Sequence, residues 1–290
     1  MRNDRNVETV LSSPPIHWVG DGFPVSSVFS PQSVDTRLSP YILFDYAGPA
    51  RFEPSDVPRG VDTHPHRGFE TVTVVYQGEL EHRDSAGNSG SIGPGDVQWM
   101  TAAAGVLHEE KHSAEFTQRG GTLEMAQLWV NLPAKHKMAS PQYQTLLRDE
   151  IPSVTLPGDA GTLRAVAGAF ENTPGAASTF TPVILWDLRL KAGAEAKLPV
   201  PVGFTAAVFV RSGSLWVGGT HSAGERQLAV LDRSGGDVLL QAEAETELLI
   251  LGGEPIDEPV VAYGPFVMNT KAEIEAAMED VRAGRFGRIA

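Results

Sequence analysis

The chain has 290 residues, 41% of them hydrophobic, with 23 basic and 36 acidic side chains and no cysteine. That length suits two domains of ~150 residues, and the missing cysteine excludes disulfide frameworks, thiol nucleophiles, Fe–S clusters and cysteine-based zinc sites. The net charge of −13 argues against direct nucleic-acid binding, because phosphate-binding surfaces need clustered Lys and Arg.

The first 18 residues alternate charge and polarity and hold no apolar run of signal-peptide type. No stretch approaches the ~20 apolar residues that span a bilayer. A cytoplasmic protein without a membrane partner is expected. Further on, the pattern is that of strands. Glu70 to Tyr76 is rich in Val and Thr, stops at Gly78, and resumes from Glu79 to Arg83. Loops by turn chemistry follow at Asp84–Gly90 and Pro94–Asp96. Val97–Met100 and Met125–Leu132 read as further strands, and Pro133–Pro157 reads as a connector. Strands return at Val183–Leu190, Ala206–Val210, Leu215–Val217, Val238–Leu240 and Leu248–Leu251. Short strands between Gly and Pro turns predict an all-β chain of antiparallel sandwiches or barrels. One helix is predicted, at the end. Thr270 and Glu273 form a capping box, Ile274, Ala277, Met278 and Val281 share a face, and Gly284 stands at the C-terminal cap.

The two halves echo each other. Gly68-Phe69 and Gly78 recur as Gly203-Phe204 and Gly213 at an offset of 135, and Gly95-Asp96-Val97 recurs as Gly236-Asp237-Val238 at 141. A duplicated β-domain follows, with boundaries at 1–135, a connector at 136–160, and 161–290 carrying the final helix. The offsets carry His64 and His66 to Pro199 and Pro201, Glu70 to Thr205, and His108 and Glu110 to Leu249 and Leu251. The second half therefore keeps no candidate ligand.

Chemistry gathers at His64-Pro65-His66 and at His108-Glu109-Glu110. Side chains at i and i+2 of a strand share a face, so His64 pairs with His66 and His108 with Glu110, while Glu70 keeps the parity of the first pair. Three imidazoles and one carboxylate suit a first-row metal ion. Parity alone does not choose between Glu70 and Glu110. An isolated His-x-His is more often surface chemistry than a ligand pair; here both clusters flank strands of one expected sheet. His82 and His112 read as a core residue and a solvated strand end, and His17, His136 and His221 as loop residues.

The run His64-Pro65-His66-Arg67-Gly68-Phe69-Glu70-Thr71-Val72-Thr73 resembles the first cupin motif as pirins carry it. Pro94-Gly95-Asp96-Val97-Gln98-Trp99-Met100 through Gly105-Val106-Leu107-His108 is similar to the pirin second motif. Gln127–Pro133 and the segment Glu258–Thr270 extend the resemblance over most of the chain. Phe44-Asp45-Tyr46-Ala47-Gly48 departs from it, since pirins more often follow that Asp with a charged residue and a Phe. The resemblance implies two antiparallel cupin (jelly-roll) barrels in tandem, the first binding metal. It implies His64, His66, His108 and Glu110 as ligands of one divalent ion, most commonly Fe(II), with Ni, Co, Mn, Cu or Zn as alternatives. Glu70, the ligand of most cupins, is then a neighbour that orients a ligand histidine.

Some pirins are quercetin 2,3-dioxygenases, so the resemblance implies a flavonol substrate, O2 and release of CO, with Glu110 as the catalytic base. Phe69, Trp99 and Trp129 are candidates to line the barrel mouth, although each taken singly reads as core. The competing implication is a non-enzymatic, iron-dependent regulator that binds a transcription factor or a metabolic enzyme. A monomer is expected in either case.

Overall fold

The computed structural model describes residues 4–33 and 36–289. The chain begins with β1 (Val7–Ser12), β2 (His17–Val19), β3 (Phe23–Phe29), β4 (Tyr41–Phe52), β5 (Gly60–His66) and β6 (Phe69–Gln77). Next come β7 (Leu80–Asp84), β8 (Ser89–Ile92), β9 (Val97–Thr101), β10 (Val106–His112) and the short helix α1 (Ala114–Arg119). They are followed by β11 (Gly121–Asn131), β12 (Gln142–Leu146), β13 (Ser153–Thr155), β14 (Gly161–Ala167), β15 (Val183–Leu190) and β16 (Glu195–Pro199). The remainder is β17 (Thr205–Ser212), β18 (Ser214–Val217), β19 (His221–Gly224), β20 (Gln227–Leu231), β21 (Asp237–Ala242) and β22 (Thr246–Gly253), then β23 (Val261–Tyr263), β24 (Phe266–Met268) and α2 (Lys271–Arg282).

Two cupin units result, and each pairs a seven-stranded sheet with a four-stranded one. The first barrel has sheets β12-β9-β6-β11-β4-β3-β2 and β5-β10-β7-β8. The second has β1-β20-β17-β22-β15-β14-β13 and β16-β21-β18-β19. The compact units are not the sequential segments expected. The first barrel comprises Pro15–Ser33, Ile42–Arg148 and Ile256–Ala290; the second comprises Met1–Pro14, Val34–Tyr41 and Asp149–Pro255. Hydrogen bonding explains the exchange at the N-terminus. Strand β1 adds to the edge of β20, and the buried Arg5 guanidinium donates to the carbonyls of Pro201, Phe204 and Asp232 at 2.7–2.8 Å. The stretch expected as a connector holds β12, an edge strand of the first barrel on β9, and β13, which pairs with β14.

At the other end, the hairpin β23–β24 and helix α2 pack on the first barrel. Arg67 forms an ion pair with Asp280 (2.7 Å), lies over the Phe286 ring (4.6 Å), and accepts from the Val267 amide (3.0 Å). Gly68 permits this approach: at φ +94°, a Cβ there would lie 2.0 Å from the Val267 carbonyl oxygen. Lys137 locks the same junction, donating from a buried Nζ to Gly68, Asn131 and Val267 oxygens at 2.6–2.9 Å. Helix α2 starts with the expected capping box at Thr270. It ends in a Schellman motif, with Arg285 N–H on the Asp280 carbonyl (2.8 Å) and Gly284 N–H on Val281 (3.0 Å).

Helix α1 was not anticipated. Ser113 is buried and caps it by accepting from Phe116 N–H at 3.0 Å. No helix among the described residues is long and apolar enough to cross a membrane.

Candidate metal centre

Strand β10 alternates strictly. Val106, His108, Glu110 and His112 are buried, while Leu107, Glu109 and Lys111 are half-buried on the other face. Across it, His108 stands opposite His64 of β5 and Asp84 of β7, and Glu110 stands opposite His82. The β5 register slips between His108 and Glu110, so that Val61 rather than Asp62 faces Glu110. This one-residue bulge resets the alternation. Val61 lines the cavity, Thr63 turns outward to Glu109 (3.3 Å), and His64 and His66 turn inward.

The rings of His64, His66 and His108 lie with centroids 4.2–4.9 Å apart. One nitrogen from each falls within 4.8 Å of the other two. His64 Nδ1 donates to the Asp62 carbonyl (2.8 Å), and His66 Nδ1 to the Pro265 carbonyl (3.3 Å). His108 Nδ1 lies 3.5 Å from His82 Nδ1, and its Nε2 is buried without a hydrogen-bond partner. A buried imidazole nitrogen left bare costs free energy unless something binds it. Burial, then repulsion between neighbouring imidazoles, holds His66 and His108 well below the ordinary histidine pKa, so both lone pairs are available. These donors fit a first-row metal ion.

Glu110 Oε1 accepts from Thr73 Oγ1 and Gln98 Nε2, each at 3.2 Å, and Oε2 accepts no hydrogen bond from the described residues. His82, His108 and Glu110 form a second cluster of ligand atoms within 4.8 Å. The Gln98 amide nitrogen already bridges His82 Nδ1 (3.3 Å) and Glu110 Oε1 (3.2 Å) there. His108 belongs to both clusters, whereas His64 and His66 belong to the first only and Glu110 to the second only.

His64 and His66 line a cavity of about 280 Å³ together with Glu110, while His108 is buried behind them. Most of its wall is apolar, from Val19, Phe23, Val25, Val61 and Met125, with Pro265 from the β23–β24 turn. Trp129 lines it and stacks on Phe69 (4.2 Å, 28°), and both rings abut His66 at 5.0–5.1 Å. Two polar groups interrupt this wall. Gln127 Oε1 lies 2.9 Å from Thr73 Oγ1, whose one hydrogen it shares with Glu110; Asp45 accepts from Ser27, and burial raises its pKa.

Several expectations need correction. Glu70 does not share the face of His64 and His66, because the chain turns at Gly68 into the other sheet. Its carboxyl accepts from Thr101 Oγ1 (2.7 Å), makes no hydrogen bond to a ligand histidine, and lies outside both clusters. Burial pushes it up to about 7. Trp99 shares that opposite face, since its neighbour Gln98 points at Glu110; it does not line the cavity. His112 is no solvated strand end: it donates to the Gly22 carbonyl (3.0 Å) among Phe23, Phe52 and Phe116. His82 is buried and hydrogen-bonded, as expected, but beside His108 and stacked on Tyr143 (4.7 Å). Asp84, Gln98 and Thr73 were missed, because only cross-strand pairing brings them to the site.

Two cupin barrels, one with an inward-facing His/Glu group that could hold a metal ion, define a bicupin. Residues 22–130 match the pirin family, and residues 185–287 match the pirin C-terminal cupin domain. The chain belongs to the pirin family. It is 56% identical over 272 residues to a Pseudomonas aeruginosa protein named "Putative quercetin 2,3-dioxygenase", covering 94% of this chain and 95% of that one. Human pirin is 36% identical over 257 residues, covering 87% and 84% of the two chains. The crystal structure of quercetin 2,3-dioxygenase from Acinetobacter baumannii superposes with a TM-score of 0.96 at 47% identity, covering 99% and 100%.

Proposed function

We propose that this protein is a metal-dependent dioxygenase that cleaves flavonols such as quercetin with O2 and releases CO. Its centre is mononuclear, held by His64, His66, His108 and Glu110, with Fe(II) as the resident ion. The carrying observation is the set of three imidazoles with nitrogens within 4.8 Å of one another, of which His64 and His66 open with Glu110 onto an apolar cavity walled by Trp129. The names of the Pseudomonas and Acinetobacter relatives support the reaction class.

The bound ion supplies Lewis acidity toward a substrate hydroxyl. The chain supplies the rest. Trp129 offers a flat aromatic face to a polyphenol, and the apolar wall excludes water. Glu110 takes the hydroxyl proton on Oε2, the oxygen that Thr73 and Gln98 leave free. Thr73 and Gln98 hold that carboxylate in place.

The test is reconstitution of the metal-free protein with Fe(II), and separately with Ni, Co, Mn, Cu and Zn. Loss of quercetin absorbance with stoichiometric CO is expected with at least one ion. No turnover with any of them overturns the reading.

A further inference from the structure

Two of the three imidazoles have their tautomer dictated by a backbone carbonyl. The Asp62 and Pro265 oxygens can only accept, so His64 and His66 must carry hydrogen on Nδ1 and leave Nε2 bare. His108 has no such partner. Its Nδ1 faces another imidazole, His82 Nδ1, at 3.5 Å, and an imidazole nitrogen can donate or accept.

The surroundings of His82 remove the ambiguity. On one side, Asp84 Oδ2 lies 3.2 Å from His82 Nε2. A carboxylate accepts, so His82 carries its hydrogen on Nε2 and leaves Nδ1 bare. On the other side, Tyr143 Oη donates to Gln98 Oε1 (3.1 Å), which turns the Gln98 amide nitrogen toward Glu110 Oε1 (3.2 Å) and His82 Nδ1 (3.3 Å). That amide has two hydrogens for two acceptors. Both sides give the same answer: His82 Nδ1 is an acceptor. His108 must then offer Nδ1–H, and its bare lone pair is on Nε2, the buried atom without a partner.

We propose that Asp84 and His82 form a positioning relay that fixes the tautomer of His108, keeping its Nε2 free for the metal ion. The relay rests on the metal centre proposed above. Asp84 is itself held in orientation. Its Oδ1 accepts from the backbone N–H groups of Ala86 and Asn88, both at 2.9 Å, and its Oδ2 accepts from the Asn88 side-chain amide (2.9 Å) as well as from His82 Nε2 (3.2 Å). The loop Asp84–Asn88 is thereby coupled to a metal ligand that it does not touch.

The construction predicts an unusual outcome for Asp84→Asn. The two backbone N–H groups keep the amide oxygen at the Oδ1 position; the Asn88 side-chain amide, which donates to both Asp84 oxygens, turns its own oxygen toward the new amide nitrogen, and that nitrogen faces His82 Nε2 and donates to it. The His82 hydrogen moves to Nδ1, against Gln98 and His108, and the His108 hydrogen moves to Nε2. Long-range 1H–15N correlation spectra of the metal-free protein read these states directly. Wild type should show His108 protonated on Nδ1, and Asp84→Asn should show it on Nε2. Co(II) titration of the same samples should give an affinity about 10-fold lower or worse for the variant. His82→Leu leaves the loop bonds of Asp84 intact and should lose a similar factor, so the result does not depend on one variant folding. A wild-type His108 protonated on Nε2, an unchanged tautomer in Asp84→Asn, or wild-type Co(II) affinity in His82→Leu overturns the relay. Failure of the wild-type protein to bind Co(II) instead overturns the metal centre itself.

Discussion

The two barrels repeat one strand order with opposite interiors. Strand β10 lies between β5 and β7 in the first barrel, and β21 lies between β16 and β18 in the second. Glu110 faces His82 across the first pair, and Leu240 faces Val217 across the second; His108 faces His64, and Val238 faces Leu198. Three polar positions on β10 (His108, Glu110 and His112) thus correspond to Val238, Leu240 and Ala242, which close an apolar core. The backbones differ as well, since β16 pairs with β21 without a slip while β5 carries the bulge below His64. A metal site in this fold therefore needs little: alternate residues of one strand, a bulge beside it, and hydrogen bonds for each polar group that the interior now holds.

The largest effect should come from removing the imidazoles. His64→Ala with His108→Ala should take metal content from about one ion per chain to essentially none by elemental analysis. Unchanged metal content would place the site elsewhere. The converse change tests why the second barrel stays apolar. Val238→His with Leu240→Glu installs the same side chains at fully buried positions that lack counterparts of Asp84, Gln98 and Thr73. A loss of about 4 kcal/mol in denaturant unfolding is expected, from two buried polar groups without partners. A loss below 1 kcal/mol would mean that this interior tolerates polar groups without a hydrogen-bond network.

The same contrast explains what the sequence could disclose. The shared face of His108 and Glu110 was legible because β10 has one half-buried face, so its parity could be read from alternation. Strands β6 and β9 are buried on both faces, and there alternation carries no signal. Trp99 was misplaced for that reason, and Glu70 because parity was carried from β5 across the turn at Gly68 into another sheet. The echo of Gly95-Asp96-Val97 in Gly236-Asp237-Val238 was a false register: the first opens β9, which corresponds to β20, whereas the second opens β21, the counterpart of β10. The loss of ligands in the second barrel follows all the same, at Val238 and Leu240 rather than Leu249 and Leu251. The exchange of terminal segments between barrels left no local mark, since Arg5 and Arg67 act through partners about 200 residues away.

Glu70 sharpens the comparison at intermediate scale, because its counterpart on β17 is the neutral Thr205. Its carboxyl is raised from 4.5 to about 7 by burial, so the folded state holds a proton that the unfolded state releases. Stability from this group is complete below pH 4.5 and is lost as pH rises through 7. Glu70→Gln should therefore leave the unfolding free energy unchanged near pH 4 and raise it by up to about 3 kcal/mol at pH 8. Equal effects at both pH values would mean that the carboxyl ionises freely in the folded protein.

The smallest expected effect is at the cavity wall. Trp129 pairs with Thr71, and Gly252 pairs with Ala206 at the corresponding place of the second barrel. A Cβ on Gly252 would lie 2.7 Å from the Thr205 carbonyl oxygen, so that position has no room for a ring. In the first barrel the ring stacks on Phe69 and borders the cavity. Trp129→Leu keeps an apolar wall but removes the flat face. If that face binds the substrate throughout the reaction, KM for quercetin should rise about 10-fold, or 1.4 kcal/mol, with kcat and metal content unchanged. A fall in kcat together with metal content would assign Trp129 instead to holding the His66 ring, which it meets at 5.1 Å.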